Sequence, residues 1–141
     1  MANESANVAL LKDAYARWND SKGGSVDHWL TLIADDIHIG SLAAANPHPQ
    51  LALAKTMSNA ALLRSSFAEM LKAWTMLEFT PTEFVAQGDV VIMRGQMRWE
   101  NKTTRKVFSS PKLDFWRFRD GKAVEFFEYF DTAGAQAAAT G

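Results

Sequence analysis

Cysteine is absent from this chain of 141 residues, and its absence excludes disulfide bonds, thiolate nucleophiles and cysteine-ligated zinc. An excess of one charge is lacking as well, because 15 basic residues oppose 16 acidic ones and leave a formal net charge of -1. Such a balance gives no global attraction to nucleic acid or to an anionic membrane. We therefore expect neither of them as a partner.

Signatures of metals and cofactors are also missing. The three histidines, His28, His38 and His48, stand ten residues apart without a set of carboxylates at ligand spacing beside them. Asp36 with His38 is a short-range pair that could bind a metal weakly. No glycine-rich phosphate loop, serine-centred elbow or dinucleotide fingerprint occurs in the sequence. We expect no metal and no cofactor.

Long apolar runs are missing too. No segment approaches the ~20 apolar residues that a membrane-spanning helix needs, and the N-terminus lacks the features of a signal peptide. A chain of this length can bury one core of ordinary size without further support. We expect a single domain over residues 1–141 that is soluble and cytoplasmic.

Helical periodicity marks the first half of the chain. Apolar residues recur at helical spacing over residues 5–19, and again over residues 26–34, where Ser25 is a candidate N-cap. A third apolar stripe begins at residue 58 or 59 and continues to 74. The sequence therefore predicts three helices.

Strand patterns occupy most of the remainder. Alternation at 37–39 predicts a short strand, and residues 40–53, which show no clear period, could form a lid. Four longer strands, separated by turn residues, are predicted at 75–87, 90–100, 106–119 and 122–131. The alanine-rich tail, residues 132–141, could add a helical turn or fray. Helices followed by an antiparallel meander indicate an α+β fold whose curved sheet wraps over the helices.

The last two predicted strands carry two carboxylates, Asp114 and Glu128, among aromatic residues. An ionised carboxylate is rarely buried in an apolar sheet unless it is paired, hydrogen-bonded or used in chemistry, because its desolvation is costly. We therefore interpret this hairpin as the wall of a pocket.

The turn at Asp120 and Gly121 decides whether these carboxylates can cooperate, since side chains alternate between the faces of a strand. A two-residue loop would pair Arg119 with Lys122 and direct the carboxylates to opposite faces. A three-residue loop with a left-handed Gly121 would pair Phe118 with Lys122 and place both on one face. They would then be diagonal neighbours with alpha carbons roughly 7–8 Å apart. We favour the three-residue loop.

Both faces of this hairpin are apolar. Leu113, Phe115, Phe127 and Tyr129 fall on one face, and the helices can cover only the other. Monomers rarely expose large contiguous apolar patches. We therefore expect a homodimer that forms through the outer face of the sheet.

The segments KDAYARWND, LIADDIHI and DFWRFRDGKAVEFFEYFD resemble the SnoaL-like branch of the nuclear transport factor 2-like superfamily. That superfamily includes ketosteroid isomerases, polyketide cyclases and limonene epoxide hydrolases, and the resemblance covers nearly the whole chain. It implies a cystatin-like conical barrel, in which a curved, mainly antiparallel sheet wraps over three N-terminal helices around a deep apolar pocket. It implies no single reaction.

Two relatives suggest roles for individual residues. Resemblance to ketosteroid isomerase places Tyr15 at its oxyanion-binding tyrosine and Asp114 at its protonated aspartic acid. Ser41 takes the place of its proton-shuttling aspartate, and a neutral serine lacks comparable basicity. These matches imply a shared pocket without implying steroid isomerisation.

Resemblance to limonene epoxide hydrolase matches Arg94 and Glu128 to its arginine and one of its acidic residues. Gln96 stands where its second acidic residue belongs. That hydrolase needs one acid and one base, so the pair is incomplete unless Asp114 takes over the missing role from the neighbouring strand.

These observations favour a cofactor-free acid/base enzyme that acts on an apolar carbonyl or cyclic compound. The candidate catalytic residues are Asp114, Tyr15 and Glu128. The candidate substrate-binding residues are Trp18, Ser41, Arg94, Gln96, Trp116, Phe118 and Phe126. The expected partner is an apolar small molecule.

Purely structural roles are the alternative. Asp114 could merely accept hydrogen bonds, and Glu128 could be neutralised by Lys112, Lys122 or Arg94. The chain would then be a non-catalytic module for ligand binding or dimerisation. A third alternative is an epoxide hydrolase with a rearranged acid pair.

Overall fold

The computed structural model describes residues 3–45 and 60–141. Its first part contains helices α1 (Glu4–Asp20) and α2 (Val26–Leu32), strand β1 (Ile33–Ser41) and a 3₁₀ turn (Leu42–Ala45). Its second part contains helix α3 (Ala61–Ala73), strands β2 (Trp74–Gln87), β3 (Val90–Asn101), β4 (Val107–Arg119) and β5 (Lys122–Tyr129), and helix α4 (Thr132–Ala139).

The five strands form one sheet in the order β1-β5-β4-β3-β2. Strands β2 to β5 are an antiparallel meander, as their turn residues predict, and β1 joins β5 in parallel. The predicted α+β fold is confirmed. Within the described residues the two edge strands do not pair with each other, so the sheet is an open cone rather than a closed barrel.

The helices cover the inner face of this sheet. Helix α1 buries Leu11, Tyr15 and Trp18, whose spacing of four and three residues places them on one side of the helix. Ser25 stands at the N-cap of α2, but its side chain makes no capping hydrogen bond, contrary to our expectation. None of the helices in the described part of the chain combines the length and apolar character needed to cross a membrane.

Two predicted segments need correction. The strand expected at 37–39 extends over Ile33–Ser41, because its backbone pairs with β5 at Ile33 and again, after an irregularity, from His38 to Ser41. The possible lid at 40–53 begins inside that strand and continues into the 3₁₀ turn, and its residues 46–53 lie outside the described residues. The alanine-rich tail forms α4, where the Asp131 side chain accepts a hydrogen bond from the Gly134 backbone at 3.0 Å.

The favoured three-residue loop between β4 and β5 is wrong. Asp120 and Gly121 form a two-residue loop, both with positive φ (51° and 78°), and Arg119 pairs with Lys122. The register then shifts by one residue, because Val124 is an extra residue of β5 between two paired segments. This β-bulge reverses the alternation and returns the two carboxylates to one face, as expected, but Asp114 and Glu128 pair directly and are not the diagonal neighbours that we expected.

The outer face of the hairpin is partly exposed. Leu113, Phe115 and Phe127 are half-buried, and Tyr129 is 45% exposed. Arg117 and Glu125 are paired directly on this face and form a 3.0 Å ion pair. The homodimer through this face stays a prediction.

Candidate functional site

Two carboxylates stand side by side on the inner face of the sheet. Asp114 of β4 pairs directly with Glu128 of β5, and these residues are only 2% and 7% exposed. Trp116 and Phe126 form the next inward pair along the same two strands. Side chains directly opposite in antiparallel strands have Cβ atoms about 4.5–5.5 Å apart. Burial at that spacing strongly disfavours two uncompensated negative charges.

Lys112 supplies the compensating charge. It lies two residues before Asp114 on the same face of β4 and is 5% exposed. Its Nζ donates to Asp114 Oδ1 and, at 2.9 Å, to Glu128 Oε1. The ammonium also lies 5.6 and 5.8 Å from the ring centroids of Phe126 and Phe130. We call Lys112, Asp114 and Glu128 the charged cluster. With all three groups ionised its charge is one positive and two negative, or -1.

Tyr15 fixes the other side of Asp114. Its hydroxyl donates to Asp114 Oδ2 at 2.5 Å and accepts a hydrogen bond from Trp116 Nε1 at 2.9 Å. Its ring is stacked on Phe79 at 5.6 Å and meets the edge of Trp29 at 5.1 Å. These contacts hold the carboxyl of Asp114 in one orientation. The Tyr15 hydroxyl therefore serves to position Asp114.

Burial governs the proton affinities of these groups. Burial raises the pKa of Asp114 above its ordinary value, and the charge of Glu128 adds to the rise, while Lys112 and Tyr15 oppose it. Burial alone lowers the pKa of Lys112, but the two carboxylates outweigh it, so the net direction is upward and the lysine stays protonated. Burial, followed by the charge of Asp114, raises the pKa of Tyr15 well above its ordinary value. A proton that enters the site therefore goes to a carboxyl group.

An apolar cavity of about 130 Å³ lies beside the charged cluster. All five tryptophans of the chain line it, together with all three members of the charged cluster. A dry cavity of about 150 Å³ is large enough to bind benzene. The space therefore suits one six-membered ring next to two carboxyl groups.

Glu128 keeps one oxygen free. Its Oε1 accepts from Lys112, whereas within residues 3–45 and 60–141 no hydrogen bond reaches Oε2. Asp114 differs, because both of its oxygens are bonded. Glu128 is therefore the carboxyl with an unused lone-pair site beside the cavity.

Most of the expected pocket residues meet at this place. Tyr15, Trp18, Trp116 and Phe126 line the cavity with Asp114 and Glu128. Phe118 is buried, but it belongs to the core farther along β4 and does not line the cavity. Ser41 is buried beside Glu128 in the β1–β5 pairing, and its hydroxyl accepts from the Ala43 backbone at 3.2 Å rather than lining the cavity.

Arg94 and Gln96, which the resemblance assigned to the site, lie away from it. Met93 and Met97 of β3 point inward, so the alternation of the strand directs Arg94 and Gln96 to the outer face. The side chain of Arg94 is 72% exposed and lies 3.7 Å from Glu83. Neither residue lines the cavity.

Two residues of the site were missed at the sequence level. Lys112 was considered only as a residue that could neutralise Glu128, although its spacing of two from Asp114 places it on the same face. Trp29 lies in the apolar stripe predicted over residues 26–34 and was not assigned to the site. Its indole N–H has no hydrogen-bond partner within the described residues, and only coordinates can reveal this.

Comparison with known proteins agrees with the fold. The family model of the SnoaL-like domain matches residues 11–126. No curated protein sequence gives a significant match.

Solved structures share the fold at low sequence identity. A nuclear transport factor 2-like protein of unknown function from Burkholderia pseudomallei K96243 is 20% identical, with a TM-score of 0.83 over 96% of this chain and 98% of that one. TerC, crystallised with polyporic acid, is 21% identical, with a TM-score of 0.78 over 95% and 98%. A protein of ketosteroid isomerase-like fold from Catenulispora acidiphila DSM 44928, in complex with trimethylamine, is 18% identical, with a TM-score of 0.73 over 92% and 91%. At these identities the likeness shows the fold alone.

Proposed function

This chain belongs to the SnoaL-like domain family, and on that premise we propose that it is a cofactor-free enzyme that moves protons on a small apolar carbonyl or cyclic compound. One observation carries the proposal, namely that Asp114 and Glu128 are opposed, buried and bridged by Lys112 beside an apolar cavity. Relatives of this fold were crystallised with small molecules, polyporic acid in one case and trimethylamine in another. This supports a cavity that receives a ligand.

Glu128 is the base in this proposal. Its free Oε2 takes a proton from the carbon beside a carbonyl group, and the electron pair of that C–H bond moves towards the carbonyl oxygen. Asp114 is the acid, because its raised pKa favours the protonated form. Each of its oxygens accepts one hydrogen bond and keeps a second lone pair, which can carry the proton that is donated to this oxygen. Return of a proton to a carbon atom completes an isomerisation or an exchange.

Lys112 and Tyr15 are positioning residues. The lysine holds one oxygen of each carboxyl, and the tyrosine holds the second oxygen of Asp114. These hydrogen bonds hinder direct proton transfer between Asp114 and Glu128, and both carboxyl residues line the cavity. Such general acid–base pairs contribute about 10²- to 10⁴-fold to a rate.

Proton exchange on a simple ketone tests the proposal without knowledge of the natural substrate. Acetophenone has one ring and a methyl group beside its carbonyl, and loss of the methyl proton signal in deuterium oxide reports proton removal. We expect the protein to accelerate this exchange and Glu128→Gln to lower the catalysed rate by about 100-fold or more. Glu125→Gln on the outer face of the same strand is the control and should keep the native rate. Exchange no faster than in buffer would contradict the proposal.

Epoxide hydrolysis is the second candidate, and the placement of Lys112 favours it. The resemblance to limonene epoxide hydrolase predicts a cation at position 94 and an acid at position 96. In this chain Arg94 and Gln96 occupy these positions, and both face outward. Lys112 and Asp114 have the same spacing on the cavity face of β4. Glu128 would then take a proton from water, the water oxygen would bond to an epoxide carbon as the C–O bond of that carbon breaks, and Asp114 would protonate the released oxygen.

Incubation with styrene oxide distinguishes the two chemistries. Formation of the diol, lost in Glu128→Gln, supports hydrolysis, whereas exchange of acetophenone without diol formation supports proton transfer at carbon. Binding of acetophenone with neither reaction would leave a non-catalytic binding module.

A further inference from the structure

The charged cluster carries an excess negative charge beside the cavity. Lys112 brings one positive charge to two carboxylates and contacts both Asp114 and Glu128. Within residues 3–45 and 60–141 these three are the only charged residues that line the cavity, and their side chains are all more than nine-tenths buried. A buried charge is costly unless it is paired. The cluster therefore favours an occupant of the cavity that brings a positive charge.

Glu128 has the atom that such a cation can contact. Its Oε1 accepts from Lys112 at 2.9 Å, whereas its Oε2 accepts from no group of the described residues. The fully buried side-chain atoms that lack a partner there are Ser25 Oγ, His28 Nε2 and Trp29 Nε1, and Oε2 is not among them. Oε2 is therefore accessible as well as unpaired. Because Glu128 is on the inner face of the sheet and lines the cavity, a ligand reaches this oxygen from the cavity.

The rest of the wall limits how many hydrogen bonds the cation can make. Both oxygens of Asp114 already accept hydrogen bonds, from Lys112 and Tyr15. Apart from Tyr15 and the charged cluster, the lining residues of the described chain are tryptophan, phenylalanine, isoleucine, leucine, methionine or alanine. A primary ammonium has three N–H donors and would bury most of them unpaired. A tertiary ammonium has a single N–H, and its alkyl groups suit apolar walls.

The size of the cation follows from the volume of the cavity. About 130 Å³ is close to the volume of a dry protein cavity that binds one benzene molecule. One six-membered ring fills this space, and two fused rings would need more.

A proton is the competitor of such a cation. Burial, together with the charge of Glu128, raises the pKa of Asp114, so a proton on Asp114 can balance the cluster in the absence of ligand. An organic cation balances the same charge and also fills the apolar space. The site therefore has two electrically balanced states, one with a neutral substrate beside a protonated Asp114 and one with an organic cation beside an ionised Asp114.

We propose that the cavity binds single-ring tertiary amines in their protonated form, with the N–H group of the amine donating to Glu128 Oε2. The proposal goes beyond the proposed function, because the cation occupies the place of the neutral substrate and has no need to react. It shares the cavity with that function and does not depend on catalysis.

Three probes with a six-membered ring test the proposal in the native protein. N-methylpiperidine is protonated at neutral pH and then has one N–H, methylcyclohexane has the same shape without charge, and cyclohexanecarboxylate is an anion. All five tryptophans line the cavity, so tryptophan fluorescence reports its occupancy. We expect the N-methylpiperidinium ion to bind and cyclohexanecarboxylate to bind at least about 100-fold more weakly. This comparison does not depend on the folding of any variant.

Substitution of Glu128 separates the charged contact from the shape of the cavity. Glu128→Gln removes the negative charge and keeps the size of the side chain. We expect at least about tenfold weaker binding of N-methylpiperidinium with less than about twofold change for methylcyclohexane. Glu125→Gln is the matched control, because Glu125 pairs with Arg117 on the outer face of the same strand. It should leave both affinities within about twofold of the native values.

Four outcomes would overturn the proposal. They are no binding of N-methylpiperidinium to the native protein, equal binding of the cation and the anion, an equal loss for the cation and the hydrocarbon in Glu128→Gln, and an equal loss for the cation in Glu128→Gln and Glu125→Gln. Failure of the proposed function has a different signature, in which N-methylpiperidinium binds and loses affinity in Glu128→Gln, but the native protein does not accelerate proton exchange on acetophenone.

Discussion

Asp114 and Glu128 pair directly across β4 and β5, and they do so because one residue of β5, Val124, is left out of the pairing. Between Phe118 and the two carboxylates the register shifts once, at the bulge formed by Val124 of β5. If Val124 instead paired with Arg117, the two-residue loop would send Glu128 to the outer face of the sheet. The charged cluster therefore exists because Val124 bulges out of the β4–β5 pairing.

Deletion of Val124 tests this relationship. We expect the deletion to keep Asp114 opposite Glu128, because it removes only the residue that has no partner on β4, with a loss of less than about 3 kcal/mol in the free energy of unfolding. Denaturant unfolding measures the loss. Val124→Ala keeps the residue count and should cost no more than about 1.5 kcal/mol, because this side chain is only half-buried. Failure of the deletion variant to fold while Val124→Ala folds would contradict this pairing.

Removal of Lys112 should destabilise the protein strongly at neutral pH. Lys112→Met leaves two buried carboxylates without their cation, and loss of one partner from a buried ion pair costs about 3–5 kcal/mol. Unfolding in denaturant measures this cost, and the additional change Glu128→Gln should recover part of it.

Lys72→Met is the matched control for Lys112→Met. Lys72 forms a 3.0 Å ion pair with Glu69 in which both side chains are more than half exposed. Its loss should change stability by about 0.5 kcal/mol or less. Equal effects of the two substitutions would mean that the charged cluster is not buried as a unit.

Stability should fall at alkaline pH because the pKa values of Tyr15 and Lys112 are raised in the folded state. A group whose pKa is higher when folded contributes stability below its unfolded value and loses that contribution as pH rises through its folded value. The free energy of unfolding should therefore decline as pH rises above the ordinary tyrosine value of 10.0. Tyr15→Phe should make this decline shallower.

Tyr129→Phe is the control, because Tyr129 is the other tyrosine of the chain and is 45% exposed. It should leave the alkaline decline as steep as in the native protein. Identical declines in all three proteins would contradict the placement of Tyr15 in a buried, negatively charged environment.

Local patterns predict most of the fold. The spacing of Leu11, Tyr15 and Trp18 is enough to place helix α1, and turn residues such as Asp120 and Gly121 separate the strands of the meander. The full length of β1 could not be predicted in this way. Its pairing with β5 joins residues about ninety positions apart, as Ile33 with Ala123, and no local pattern encodes such a contact.

The candidate site was partly predictable for similar reasons. A carboxylate in an aromatic strand is conspicuous, so Asp114 and Glu128 could be found from the sequence, but the bulge that unites them could not. The alternation of β3, with Met93 and Met97 on its inner face, already indicates that Arg94 points outward. The resemblance indicated the opposite and was wrong on this point. The unbonded N–H of Trp29 depends on all of its neighbours in space and has no sequence signal.

The pH dependence of acetophenone exchange tests the acid–base pair most directly. Asp114 must be protonated to act as the acid, so the rate of the native protein should fall as pH rises through the raised pKa of this group. We predict that Asp114→Asn folds, binds acetophenone, exchanges its methyl protons at least about 100-fold more slowly and lacks this alkaline fall. An Asp114→Asn protein with the native rate and the native pH profile would contradict the pairing of Asp114 and Glu128 as acid and base.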